Sequence, residues 1–95
     1  MIRKHLIFSG HVQGVGFRYR AKKAADLYGC TGWVRNDWVR NDWNGTVTLE
    51  IQGTEEQINQ TIQAIQKGRF IRIDHINTKT IPTDPEERSF REEWD

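Results

Sequence analysis

Hydrophobic spacing switches period twice along this chain, and that switch limits the folds open to it. Leu6-Ile7-Phe8 is a short apolar run of strand character. Phe17, Ala21, Ala24, Ala25 and Tyr28 then fall at helical spacing, with Gly29 placed to end the helix. Cys30 to Asn36 can run extended. Val47, Leu49 and Ile51 alternate with Thr46, Thr48 and Glu50, as in a strand buried on one face, and Asn44-Gly45 is a turn signal just before it. Thr54 opens a second helix with Gln57 three residues on, a capping-box pattern. Ile58, Ile62 and Ile65 supply its buried stripe, and Gly68 closes it. Ile71 and Ile73, then Ile76, Thr78 and Thr80, make a last strand whose parity changes near Asp74-His75, the mark of a bulge.

The order is strand, helix, strand, strand, helix, strand. With a right-handed crossover in each βαβ half, this predicts an α+β sandwich: an antiparallel sheet with two helices on one face, the split βαβ or ferredoxin-like arrangement. A chain of 95 residues can bury one core but not two, so residues 1–95 are expected to form a single domain. In the stretch 81–95, Pro82 and Pro85 begin an acidic tail whose only large apolar anchors are Phe90 and Trp94. Many functions share this fold, so function has to come from a site.

Composition narrows the choice. Lys and Arg number 14 against 13 Asp and Glu, a net charge of +1 that argues against neutralising a nucleic-acid backbone as the main task. No apolar run is long enough for a membrane span or a signal-peptide core, and Cys30 has no partner thiol, which fits a reducing compartment; the expectation is cytoplasmic. His5, His11 and His75 are scattered without metal-ligand spacing, so no metal is expected. His11 precedes the glycine-bearing segment and is read as structural or surface-facing.

That segment, His11-Val12-Gln13-Gly14-Val15-Gly16-Phe17-Arg18, joins the first strand to the first helix. Glycines there admit positive φ and close approach of a ligand to the backbone. Successive N–H groups at a helix N-terminus form an anion-binding nest, and Arg18 offers a planar fork of donors to two phosphate oxygens. The pattern is neither the G-x-x-x-x-G-K-[ST] loop nor the three-glycine dinucleotide fingerprint.

"SGHVQGVGFRYR" resembles the phosphate-binding loop of acylphosphatases, and "GCTGWVRN" and "NGTVTLEIQG" resemble that family's second and third strands. The similarity covers roughly residues 3–81. It implies a small, cofactor-free enzyme that hydrolyses the carboxyl–phosphate bond of acyl phosphates, releasing carboxylate and inorganic phosphate. By the resemblance, Arg18 and the loop amides of Val12, Gln13, Gly14, Val15, Gly16, Phe17 and Arg18 bind the phosphoryl group, and an Asn at the end of the second strand positions the attacking water. A monomer is the family-like expectation, although an edge strand near three Trp residues leaves an edge-paired or swapped dimer open.

Two other classes share parts of this pattern. Trp33, Arg35, Trp38, Arg40 and Trp43 interleave aromatic and basic side chains, as in a single-stranded nucleic-acid platform, and the RNA-recognition motif shares the fold. Against it, Thr46 to Ile51 carries no stacking aromatic. A non-catalytic phosphate-binding or regulatory module, like the acylphosphatase-like domain of larger carbamoyl-transferring enzymes, is the second. The absence of another domain favours the free enzyme as the expectation.

Trp33 to Asp37 recur at once as Trp38 to Asp42, a departure from the family pattern that reads as a five-residue insertion. The water-positioning Asn is therefore either Asn36 or Asn41. Lengthening a loop from about four to nine residues costs only ~0.7 kcal/mol on either side of the strand, so loop closure does not choose between them. Because five is odd, intermediate registers turn Val and Trp to the wrong faces. The glycines at 29 and 32 fix the connection on the helix side, while a hairpin tip accepts insertions; Asn36 is therefore assigned, with Asn41 as the register alternative.

Overall fold

The computed structural model describes residues 1–37 and 45–94. Asn41, the aromatic and basic residues Trp38, Arg40 and Trp43, and the Asn44 half of the expected turn lie outside them. The elements run β1 (Ile2–His11), α1 (Phe17–Tyr28), β2 (Thr31–Asn36), β3 (Val47–Gly53), α2 (Glu55–Gln66), β4 (Arg72–Ile81) and β5 (Phe90–Glu93). The expected βαββαβ order is present, with one strand added.

Local chemistry explains the helix ends. Gly29 takes φ 78° and donates its N–H to the Ala25 carbonyl, closing α1. Thr54 caps α2 through the reciprocal pair that its spacing from Gln57 predicts: Gln57 N–H donates to Thr54 Oγ1 at 3.1 Å, and Thr54 N–H to Gln57 Oε1 at 2.9 Å. Both helices pack on the same sheet face. Leu6, Phe8, Val34, Leu49 and Ile51 meet Phe17, Ala21, Ala25, Ile58 and Ile65 in one buried cluster. The bulge falls where the parity change put it, since Ser9 pairs with His75 and Gly10 with Ile73, leaving Asp74 as the extra residue.

The sheet order is β4-β1-β3-β2-β5. The sheet is mixed rather than purely antiparallel, because β5 pairs parallel to β2, with Gly32 opposite Phe90 and Arg35 opposite Glu93. β4 and β5 therefore sit at opposite edges, and the segment 82–89 has to cross the outer face. Four strand spacings are about 19 Å, well within the roughly 27 Å that an extended segment of this length can reach. The Gln52 side chain holds the crossing segment: its Nε2 donates to the Asp84 carbonyl at 2.9 Å, and its Oε1 accepts from Asp84 N–H at 2.7 Å.

This crossing corrects one expectation. Outward-facing positions of β3 are not all solvated: Gln52 is buried where the segment crosses, as is Arg3 opposite it, and at the other end of the strand Thr48 is buried with its hydroxyl on the Asp37 carboxylate. Arg3 gives a two-bond fork to Glu87, at 2.7 Å and 3.1 Å, and reaches Glu50. Glu50 in turn faces His5 Nδ1 at 2.7 Å.

Candidate active site

The turn from β1 into α1 is held from below and open above. Val12 is buried, and Phe17 packs on Phe8 with ring centroids 5.0 Å apart, which fixes both ends of the loop. Between them Gly14 and Gly16 take φ 72° and 79°. A Cβ at either would meet nothing within 4 Å, so these positions need glycine for backbone conformation and leave the loop approachable. Gly16 is the N-cap of α1 and supplies no side-chain cap, and no acid occupies the first turn. Among the described residues, no carbonyl or side chain accepts the main-chain N–H of Gln13 to Gly16. Unpaired amides at the positive end of a helix dipole are an anion-binding arrangement.

A cleft of about 190 Å³ lies against this loop, lined by Val12, Gly14, Gly16, Phe17, Arg18, Tyr19, Asn36, Glu92 and Trp94. Arg18 comes from the first turn of α1, and Asn36 from the last position of β2, opposite Val47. The Arg18 guanidinium lies over the Trp94 ring at 3.6 Å, and Nη1 donates to the Glu93 carbonyl at 3.5 Å. A larger, more open groove of about 690 Å³ runs along Tyr19, Arg20, Lys23, Leu27 and Ala64. It contains neither the glycine loop nor an Asn, so the smaller cleft is the candidate site.

The structure brings six of the sequence-derived residues to this cleft: Val12, Gly14, Gly16, Phe17, Arg18 and Asn36. Gln13 and Val15 are not on its wall. The Gln13 side chain turns aside and bridges the main-chain carbonyls of Asp37 and Thr46. His11 is exposed and off the cleft. Tyr19, Glu92 and Trp94 were missed. For Glu92 and Trp94 the reason is that β5, which carries both to the cleft, is not foreseen from the sequence; the apolar anchors Phe90, which is buried, and Trp94 are the usable signals. Among the described residues, no group of three or more His, Cys, Asp or Glu side chains could hold a metal ion. Cys30 is buried, and burial pushes its thiol pKa up against a weak contact with Thr61 Oγ1 at 3.5 Å; it plays no part here.

A split βαβ sandwich that presents a glycine loop and one arginine at the mouth of a small cleft offers the kind of donors that an anion such as a phosphoryl group takes. The family model described as acylphosphatase matches this chain in two pieces, residues 4–37 and 38–92, which meet where the second copy of the repeat begins. An acylphosphatase from Clostridium acetobutylicum is 42% identical over 93 residues, covering 96% of this chain and 97% of that protein. One from Bacillus licheniformis is 48% identical over 68 residues, 72% of this chain and 70% of that protein. The crystal structure of acylphosphatase from Bacillus subtilis superposes with a TM-score of 0.83 at 29% identity, covering 99% of this chain and all of that one. Full-length HypF in a phosphate- and nucleotide-bound form also superposes, with a TM-score of 0.80 at 27% identity, but the match spans only 12% of that chain. The chain belongs to the acylphosphatase family.

Proposed function

We propose that Arg18, the amides of the glycine loop and Asn36 carry out the reaction of the family, hydrolysis of an acyl phosphate to a carboxylate and inorganic phosphate. The observation that carries this assignment is that Arg18 and Asn36, distant in sequence, line one small cleft with the glycine loop. The loop amides and the Arg18 fork take the phosphoryl oxygens and offset the charge that builds on them. The Asn36 amide oxygen accepts a hydrogen bond from water and holds it in line with phosphorus. Phosphoryl transfer asks mainly for such positioning and charge stabilisation.

The leaving carboxylate is a weak base and needs no general acid. Water adds to phosphorus, the carboxyl–oxygen bond to phosphorus breaks with its electron pair on the carboxylate, and the water proton ends on a phosphoryl oxygen. Glu92 is the one carboxylate among the described residues lining the cleft, and this reading gives it no proton to carry. The protein acts in the cytoplasm, a reading supported by the free thiol of Cys30, and as a monomer, which the family resemblance supports.

The test is turnover of acetyl phosphate with and without a chelator. Wild type should be active in both, Arg18→Gln should lose most activity and much of its inhibition by inorganic phosphate, and Glu92→Gln should remain active. Near-normal turnover by Arg18→Gln would remove the assignment, and a dead Glu92→Gln would replace substrate-assisted proton transfer by a general base.

A further inference from the structure

β5 ends at the active site, and the sheet register makes it do so. It runs parallel to β2 with Arg35 opposite Glu93 as the last pair, so the next residues, Asn36 and Trp94, lie at the same end of the sheet. Burial of Phe90 and the bond from Gly32 N–H to the Ser89 carbonyl at 3.2 Å anchor the strand's other end. Trp94 itself is 71% exposed, so its ring is not there to fill a core. What it touches is Arg18, whose guanidinium carbon stands 3.6 Å from the ring centroid. The Glu93 carbonyl accepts from the same guanidinium. Among the described residues, Arg18 makes no ion pair, and these contacts from the end of β5 are the ones that hold its head group.

We propose that Trp94 is a positioning residue for Arg18, which it holds in the pose that grips the phosphoryl group. A guanidinium donates only in its plane, whereas an aromatic ring contacts it through its face. Stacking therefore leaves N–H groups at the edge of the fork free for two phosphate oxygens. It also removes rotamer freedom from a long side chain before the ligand arrives, so less has to be lost on binding. The proposal rests on Arg18 being the phosphate-binding side chain. A wall that only plugged the cleft would act in the opposite sense, because its removal would tighten phosphate binding.

Because the stack affects binding of ground state and transition state alike, its loss should raise KM and leave kcat nearly unchanged. Exposed cation–π contacts are modest, which corresponds to roughly a two- to five-fold weakening. The experiment measures the dissociation constant of inorganic phosphate by calorimetry, together with KM and kcat for acetyl phosphate. It covers wild type, Trp94→Leu, Trp94→Phe, Arg18→Gln and the Arg18→Gln/Trp94→Leu double variant. Trp94→Leu should weaken phosphate binding and raise KM by the same factor, Trp94→Phe should restore most of both, and Trp94→Leu should add nothing in the Arg18→Gln background. Unchanged or tighter phosphate binding by Trp94→Leu, failure of Phe to restore it, or an undiminished effect in the double variant overturns the positioning role. Wild-type phosphate binding by Arg18→Gln alone would instead overturn the reading of Arg18 itself.

Discussion

The side chain of Gln13 is bonded to the main chain of Asp37: Nε2 donates to the Asp37 carbonyl at 2.9 Å, and also to the Thr46 carbonyl at 2.8 Å. The glycine loop is thereby tied to the point where β2 and β3 part, one residue beyond Asn36. Asp37 closes the same point with its own groups. Its N–H donates to the Thr46 carbonyl, and its carboxylate accepts from the hydroxyls of Thr46 and Thr48.

Asp37→Ala should therefore disturb catalysis through the placement of Asn36 rather than through phosphate binding. Thr48 is buried, and its hydroxyl would lose its acceptor, at a cost of about 1–3 kcal/mol of stability. Displacing a positioned water by a fraction of an ångström is expected to lower kcat by about ten-fold, with inhibition by inorganic phosphate unchanged. Asp37→Asn keeps one acceptor oxygen and should lose less. Steady-state kinetics with phosphate as inhibitor checks this, and a parallel rise in KM and in the phosphate inhibition constant would contradict it.

A second prediction concerns the crossing segment. Burial opposes the charge on Arg3, but hydrogen bonds and charge attraction from Glu87 and Glu50 outweigh it and hold the guanidinium pKa above its ordinary value. A raised base contributes stability below its unfolded pKa, so this contribution is not lost on the alkaline side until the guanidinium itself begins to titrate. Arg3→Met would leave the Glu87 side chain, only 3% exposed, without its partner, and should destabilise the fold by roughly 3 kcal/mol. Arg3→Met with Glu87→Met should recover part of that loss in urea unfolding. Full additivity of the two single variants would mean that the pair is not coupled.

These two regions differ in how far the sequence discloses them. Glycines 14 and 16, Arg18, the Thr54–Gln57 cap and the Asp74 bulge are each written in local spacing, because each depends on residues a few positions apart. β5 is not, because its four residues interleave Phe90 with Arg91, Glu92 and Glu93, show no clean alternation, and take as partner a strand far back in the chain. The crossing segment follows from β5, so Gln52 reads as solvent-facing until something is known to cover it. Trp94 at the cleft follows from it too. Gln13 lies inside the loop motif, yet its side chain serves the β2–β3 junction, and no local signal separates those two roles.

A third prediction uses Cys30. Its raised pKa favours the protonated thiol in the folded state, so its contribution to stability is complete below the unfolded value and fades as pH rises through 9.0, the ordinary thiol value, toward the folded one. Iodoacetamide should label the native protein slowly and the urea-unfolded protein fast. The stability advantage of wild type over Cys30→Ala should shrink above that pH. Rapid labelling of the native state would show that the thiol is not buried.

The last prediction separates the two copies of the repeat. In the structure the first copy is in the ladder, with Asn36 opposite Val47 and Gly32 opposite Ile51. Gly32 has φ 142°, and a Cβ there would stand 1.9 Å from the Glu50 carbonyl oxygen. A slip of five residues that brought Asn41 to the place of Asn36 would bring Asp37 to the place of Gly32. It would also bring Arg35 to the place of Cys30, which is 4% exposed. The first change forces a side chain into backbone, and the second buries a charge without a partner. The alternative is to give up the pairing of Thr31 and Gly32 with Gln52 and Ile51, and of Gly32 with Phe90. Loop closure is nearly neutral between the copies, so this ladder decides the register, and the exchange of Asn41 for Asn36 should be rare. Asn36→Ala is expected to remove most activity, on the order of a hundred-fold or more for a group that orients the nucleophile. Asn41→Ala should stay within about two-fold of wild type, and adding it to Asn36→Ala should remove little further. A further large loss in the double variant would show that the slipped register is populated despite Gly32; a larger loss from Asn41→Ala than from Asn36→Ala would show that the second copy occupies the ladder.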